Sequence, residues 1–392
     1  MPNNFKLYWI SHQILNYLAS ISTTIFINFY IWETTKNISS ILKFNLGLFL
    51  VYPFAVLVGS LLVELLGLKY SQVITKAAQA IFTLLLIILG VKLIQDPFLF
   101  GLLSGLVLGT AFAPVDVIAA KILPDLRLDI NSKIKIGTVA VGIVFPPLLS
   151  FLVDINQAFT IPFILALVVY SLLLIYSLFT TFPEVDGRFN LLEVFKFPGD
   201  NPEKTILMKS AFISGLKDSI HYSLIGVLTL NFIGSLTNWG WFTLALSILS
   251  LVLVLIYKGL KISKQSILSL GLGAIIFLAG SAYFTFNFSL TGIYVYSIAV
   301  VIFEVFYGFG ITSTMARLTD LDVSPNDLSS EYTFFTSLFT SFGLILPILF
   351  LSYFKIDIQD PTMFLVVLVF SALVPFTILK VMSKSFYLTH QS

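Results

Sequence analysis

The chain contains no cysteine, which excludes disulfides and thiolate metal sites at once. Charge is scarce too: Asp, Glu, Lys and Arg make up 11% of residues, against roughly 25% in soluble domains. There is no Gly-rich phosphate loop and no Walker pattern, and the three histidines (His12, His221, His390) are scattered. Nothing therefore points to ATP hydrolysis, a cofactor, a metal site or an enzyme. A net charge of +2 is too small to suggest nucleic acid as a partner.

What the chain has in quantity is apolar surface, 57% of residues, with a mean hydropathy of +0.98. Apolar runs of about 20 residues recur along the whole length, each long enough to cross a hydrocarbon core about 30 Å thick. The runs are continuous rather than alternating, so they read as helices and not barrel strands. Twelve are expected, over residues 7–31, 42–66, 72–91, 98–120, 134–155, 158–181, 206–233, 238–258, 264–288, 290–316, 332–354 and 361–383. The first run is longer than a signal-peptide core and lacks a small-residue cleavage site, so it is expected to stay as the first span.

With the N-terminus inside, the inner segments hold 17 Lys and Arg residues, Lys76 among them, against four outside (Lys36, Lys43, Lys92, Lys355). This bias places both termini in the cytoplasm of a multi-pass cell-membrane protein. The longest connection, 182–205, carries three prolines and eight charges, and divides the chain into an N-terminal half (1–181) and a C-terminal half (206–392). Within it, Leu191–Phe197 reads either as a surface-lying piece or as solvated linker.

The halves repeat. Gly109, Gly142 and Pro146 recur as Gly310, Gly343 and Pro347, each 201 residues later and without a gap. Gly67-Leu-Lys69 recurs as Gly259-Leu-Lys261, and Asn28-Phe29 as Asn231-Phe232. Two six-helix halves are thus related in parallel, a device of one class of membrane transporter.

Taken together, these features resemble the major facilitator superfamily: twelve spans, both ends inside, two related halves and a cytoplasmic middle loop. The family's motif between spans two and three is matched in part by Ser60, Glu64, Gly67 and Lys69, with Leu65 where an Arg is usual. In span four, Gly109-Thr-Ala-Phe-Ala-Pro114 followed by Leu123-Pro124 is similar to the family's glycine-rich span and its proline-marked inner loop. One departure is clear. Phe145 precedes Pro146, and Leu149-Ser150 stand where the glycines of the drug-antiporter signature would be. The resemblance implies an all-α integral membrane protein of twelve transmembrane helices in two related six-helix halves. It also implies a central cavity lined by spans one, four, seven and ten.

A few polar residues break the apolar pattern inside those spans. Ser214, Lys217, Asp218 and His221 fall within roughly 100° of arc on span seven, and His12, Asn16, Ser20 and Thr23 within about 80° on span one. Such faces avoid lipid, either by satisfying each other across the bundle or by lining a cavity. Matching the two Asn-Phe pairs puts Ile14, Leu15 and Leu18 opposite Lys217, Asp218 and His221, so the fold itself does not require these charges. Glu304 is the lone charge in the middle of span ten. It must be neutral or meet a cation from another span, and Lys217 is the obvious one. A purely structural bridge is the alternative. Asp116 and its counterpart Arg317 have opposite charges near the cytoplasmic ends of spans four and ten, which suits a gate pair or two interfacial charges reaching water. Trp9, Trp239 and Trp241 read as interfacial anchors.

The function expected is secondary transport of a small organic solute by alternating access. Asn16, Ser20, Lys217, His221 and Tyr222 would contact substrate, Asp218 and Glu304 would couple protons, and Asp116 and Arg317 would gate. The partners are a small-molecule substrate, protons and the bilayer, with a monomer as the working unit. A lipid or glycolipid flippase on the same scaffold, and a non-transporting receptor or assembly factor, are the rival readings.

Overall fold

In the computed structural model of the protein, the described residues are 3–118, 127–182, 202–259, 266–320, 330–354 and 361–388. They form helices joined by short turns. Span one runs Asn3–Ser20, passes through a π turn at Ile21–Ile25 and continues as Phe26–Thr35. Its last turn closes on Lys36, whose φ of 48° is left-handed, and Asn37 caps the next helix by accepting from the Ser39 amide at 2.8 Å.

Spans two and three lie in one hydrogen-bonded run, Ile38–Gln95, broken at Gly67. There φ is 77° and ψ 168°, a region open essentially to glycine alone. The glycine of the loop motif is thus the residue that separates the two spans. Asp96 then accepts from the Leu99 amide at 3.1 Å, with Pro97 at the start, and span four runs Pro97–Val117. Arg127–Asn156 and Thr160–Phe179 complete the first six.

Span seven repeats the construction of span one: Pro202–Ile220, a π turn at His221–Ile225, then Gly226–Ile233 closing on Gly234 in the left-handed region. The others are Leu236–Gly259, Ser266–Phe286, Leu290–Asp320, Ser330–Tyr353 and Thr362–Leu388. The two π turns begin 200 residues apart, not the 203 of the Asn-Phe pairs. This register places Tyr17, Leu18 and Ile21, rather than Ile14, Leu15 and Leu18, opposite Lys217, Asp218 and His221. Neither set carries a charge.

Nine helices among the described residues are long and apolar enough to cross a membrane, and one of these is the double span broken at Gly67. Span seven, which carries Lys209, Lys217 and Asp218, is not among the nine, and span twelve enters only through its apolar part Thr362–Thr377. With the double span counted as two and spans seven and twelve added, the described helices are consistent with twelve spans. Leu191–Phe197 lies outside the described residues.

The chain divides into two compact units. One comprises Met1–Lys196 with Ser235–Leu244 and Ser324–Leu338, and the other Phe197–Gly234, Ala245–Val323 and Phe339–Ser392. In the first, Phe5, Tyr8, Trp9, Val63 and Val117 form one cluster and Leu18, Ala19, Ala166 and Leu173 another. Asn45 Nδ2 donates to Asn28 Oδ1 at 3.1 Å, and the Tyr8 and Ser177 hydroxyls meet at 2.8 Å, so polar groups tie span one to spans two and six. Two tryptophans are not interfacial anchors: Trp9 is buried in its cluster, and Trp239 is buried with its ring edge-on to Phe29. Trp241 remains exposed. Large indoles pack wherever neighbouring helices leave volume, which spacing along one helix does not reveal.

In the second unit a stack of Phe277, Phe303 and Tyr307 runs between spans nine and ten. Span seven is held by close approach: a Cβ on Gly215 would strike the Thr340 carbonyl oxygen and the Gly343 backbone. Ser219 Oγ donates to the Leu344 carbonyl at 2.7 Å and Ser371 Oγ to that of Leu216 at 3.4 Å.

Candidate functional sites

These contacts seat span seven so that Lys217 turns into the second unit, with only 7% of its side chain exposed. Its Nζ lies 2.8 Å from Asp218 Oδ1 and 3.0 Å from Glu304 Oε1. Neighbouring residues on a helix point about 100° apart, so Lys217 must fold back to reach Asp218. The aromatic stack supplies the floor: Nζ sits 4.7 Å from the centre of the Phe303 ring and 5.6 Å from that of Tyr307. The carboxylates differ in access, Asp218 being 23% exposed and Glu304 53%. One cation thus faces two acids, and one acid is open to exchange with its surroundings.

His221 and Tyr222 are exposed on the π turn just beyond, their rings 6.0 Å apart. A π turn shifts the helical register by a residue and often marks a functional position. Among the sequence-selected residues, the structure brings Lys217, Asp218 and Glu304 to one point and leaves His221 and Tyr222 at its rim.

Span one carries the other candidate face. His12 is fully buried and stacked on Trp9, Asn16 and Ser20 are half-buried, and Ser20 Oγ turns back to the Tyr17 carbonyl at 3.1 Å. Asn16 does not stand alone. Its Oδ1 accepts from Lys76 Nζ at 2.7 Å, and Gln79 Oε1 accepts from the same ammonium at 2.8 Å.

Lys76 corrects the reading of it as an inner-loop charge. It is 1% exposed and lies nine residues beyond the break at Gly67, about 13 Å into the span at 1.5 Å per residue. The signal was present: Gln72, Lys76, Gln79 and Thr83 recur at helical spacing along one face, and all four are buried. Counting basic residues by loop hid it.

In the loop motif, Ser60 is buried and donates to the Val56 carbonyl at 3.0 Å, Glu64 is exposed and Lys69 half-buried. The backbones of Asp116 and Arg317 are helical, but their side chains lie outside the described residues, as does any gate contact between them.

No family model matches the chain. It is 24% identical over 284 residues to an uncharacterized Bacillus subtilis (strain 168) protein, YqgE, covering 71% of this chain and 65% of that protein's length. Among solved structures, the nucleoside transporter NupG superposes with a TM-score of 0.67 at 14% identity, covering 97% of this chain and 99% of that one. The human organic anion transporter MFSD10 (TETRAN) superposes with a TM-score of 0.60 at 12% identity, covering 97% and 100%. At such identities the likeness concerns architecture. The chain shares the all-helical fold of these transporters, the scaffold that the resemblance to the major facilitator superfamily implies.

Proposed function

We propose that the protein is a proton-coupled secondary transporter of a small organic solute, working as a monomer in the cell membrane with both termini cytoplasmic. It would alternate access by motion of two six-helix halves, 1–181 and 206–392, joined by the linker 182–205. The observation that carries this reading is the triad of Lys217, Asp218 and Glu304. With both acids ionised the triad bears one net negative charge inside an apolar span, and a single proton cancels it. Asp218 and Glu304 are the proposed coupling residues, and Glu304 is the more exposed of the two. A site that is neutral with a proton and charged without it is what coupling requires. Asn16, Ser20, His221 and Tyr222 are the proposed substrate contacts, and Asp116 and Arg317 the proposed gate.

The test is reconstitution in proteoliposomes with a lumenal pH dye and a panel of nucleosides and small organic acids, classes suggested by the names of the solved relatives. A transported solute should move protons with it. Glu304→Gln and Asp218→Asn should abolish that proton flux while solute exchange across equal concentrations persists. Unchanged proton flux in both variants would remove the coupling role, and movement of labelled lipid in place of solutes would favour the flippase.

A further inference from the structure

The first unit holds a second buried cation, with different company. An ammonium has three donors. Lys76 spends two on neutral amide oxygens, Asn16 Oδ1 and Gln79 Oε1, and its nearest aromatic ring, Tyr170, is 5.8 Å from Nζ. Among the described residues no carboxylate pairs with it, whereas Lys217 has two. A desolvated ammonium without a counter-charge is costly, and the fold does not demand one here. The offset of Gly67 to Gly259 puts Lys76 opposite Leu268, an exposed apolar residue.

A second observation points the same way. One turn from Lys76 and Asn16 on their respective helices, Gln72 and His12 lie beside each other, both fully buried. Yet both ring nitrogens of His12 and both amide atoms of Gln72 are without a hydrogen bond of good geometry. Buried polar groups are normally paired. Here an ammonium with one donor to spare stands a turn away from an imidazole and an amide that lie against each other without a well-formed hydrogen bond.

We propose that Lys76, Asn16 and Gln79, with His12 and Gln72 behind them, bind an oxyanion, the carboxylate or phosphate group of the solute. This extends the transporter reading and rests on it only for calling the ligand a solute. Asn16 is the half-buried member of the set, so the anion enters past it and replaces its oxygen on Nζ. The second unit is the wrong place for that group, since Lys217 is already matched by two acids and a third negative charge would be repelled. Charge thus divides the labour, with protons at the triad and the anion at Lys76.

Binding to the purified full-length protein tests this without any transport. Benzoate and inorganic phosphate are titrated against chloride at matched ionic strength while thermal unfolding is followed. Saturable stabilisation of about 3 °C by either probe is expected, with benzoate alone naming a carboxylate and phosphate alone a phosphate. Lys76→Gln should abolish it and Lys76→Arg retain it. Should Lys76→Gln fail to fold, Asn16→Asp serves: a carboxylate supplied from within should raise the melting temperature and abolish the response to both probes. No response in the wild type, or an equal response in Asn16→Asp, overturns the proposal. If oxyanion binding holds while proton flux survives in Glu304→Gln and Asp218→Asn, the site stands and the coupling assignment falls.

Discussion

Lys217 and Lys76 are the same side chain in the same solvent-poor setting, and what distinguishes them is the charge of their neighbours. Around Lys217 the attraction of two acids offsets the loss of hydration, so removing the cation leaves two negative charges without compensation. Lys217→Met is expected to lower stability by about 2 kcal/mol, less than the 3–5 of a fully buried pair because Glu304 is half open. Thermal unfolding in detergent would show this, and adding Asp218→Asn and Glu304→Gln should recover part of the loss. An unchanged melting curve for Lys217→Met would mean that the pair contributes nothing. Which residues are charged within apolar spans could be read from spacing alone for Lys217, Asp218 and Glu304. Lys76 escaped because a basic residue near a loop is ordinarily a loop residue, and only the position of the Gly67 break shows how far inside it lies.

At the scale of helices, glycines at equivalent places of the repeat do different work. Gly343 and Gly215 let spans seven and eleven approach backbone to backbone, so a side chain on either meets main-chain atoms that cannot move aside. A Cβ on Gly142, the counterpart of Gly343, would meet the Tyr17 side chain at ordinary contact distance, its hydroxyl at 3.5 Å. Gly215→Val should therefore cost about 2 kcal/mol or more through overpacking, whereas Gly142→Ala should be close to neutral. Thermal unfolding of the two variants side by side decides it, and equal losses would contradict the packing described. The 201-residue spacing showed that these glycines mark a repeat. It could not show which had kept a packing role, because a Cβ clash is a property of the neighbouring helix. The π turns were equally invisible, since a one-residue bulge leaves the apolar pattern intact.

For the molecule as a whole, orientation is open to a direct measurement, because a chain without cysteine needs no background removed. Lys36→Cys and Gln157→Cys, at turns proposed to face outward, should react with an impermeant maleimide on intact cells. Lys133→Cys should react only after permeabilisation, and the reverse pattern would invert the proposed topology. The sequence by itself determined the solvent and the architecture: long continuous apolar runs can be satisfied only by helices in a bilayer, and residues recurring at one 201-residue offset across spans four and five and spans ten and eleven point to two related halves. Tertiary structure alone decided how the sparse charges are matched. Glu304 and Lys217 are 87 residues apart and Lys76 and Asn16 are 60 apart, so their meeting depends on which helices pack. The cost of burying a charge follows from the partner it finds in space, and a linear pattern records only that a partner is needed.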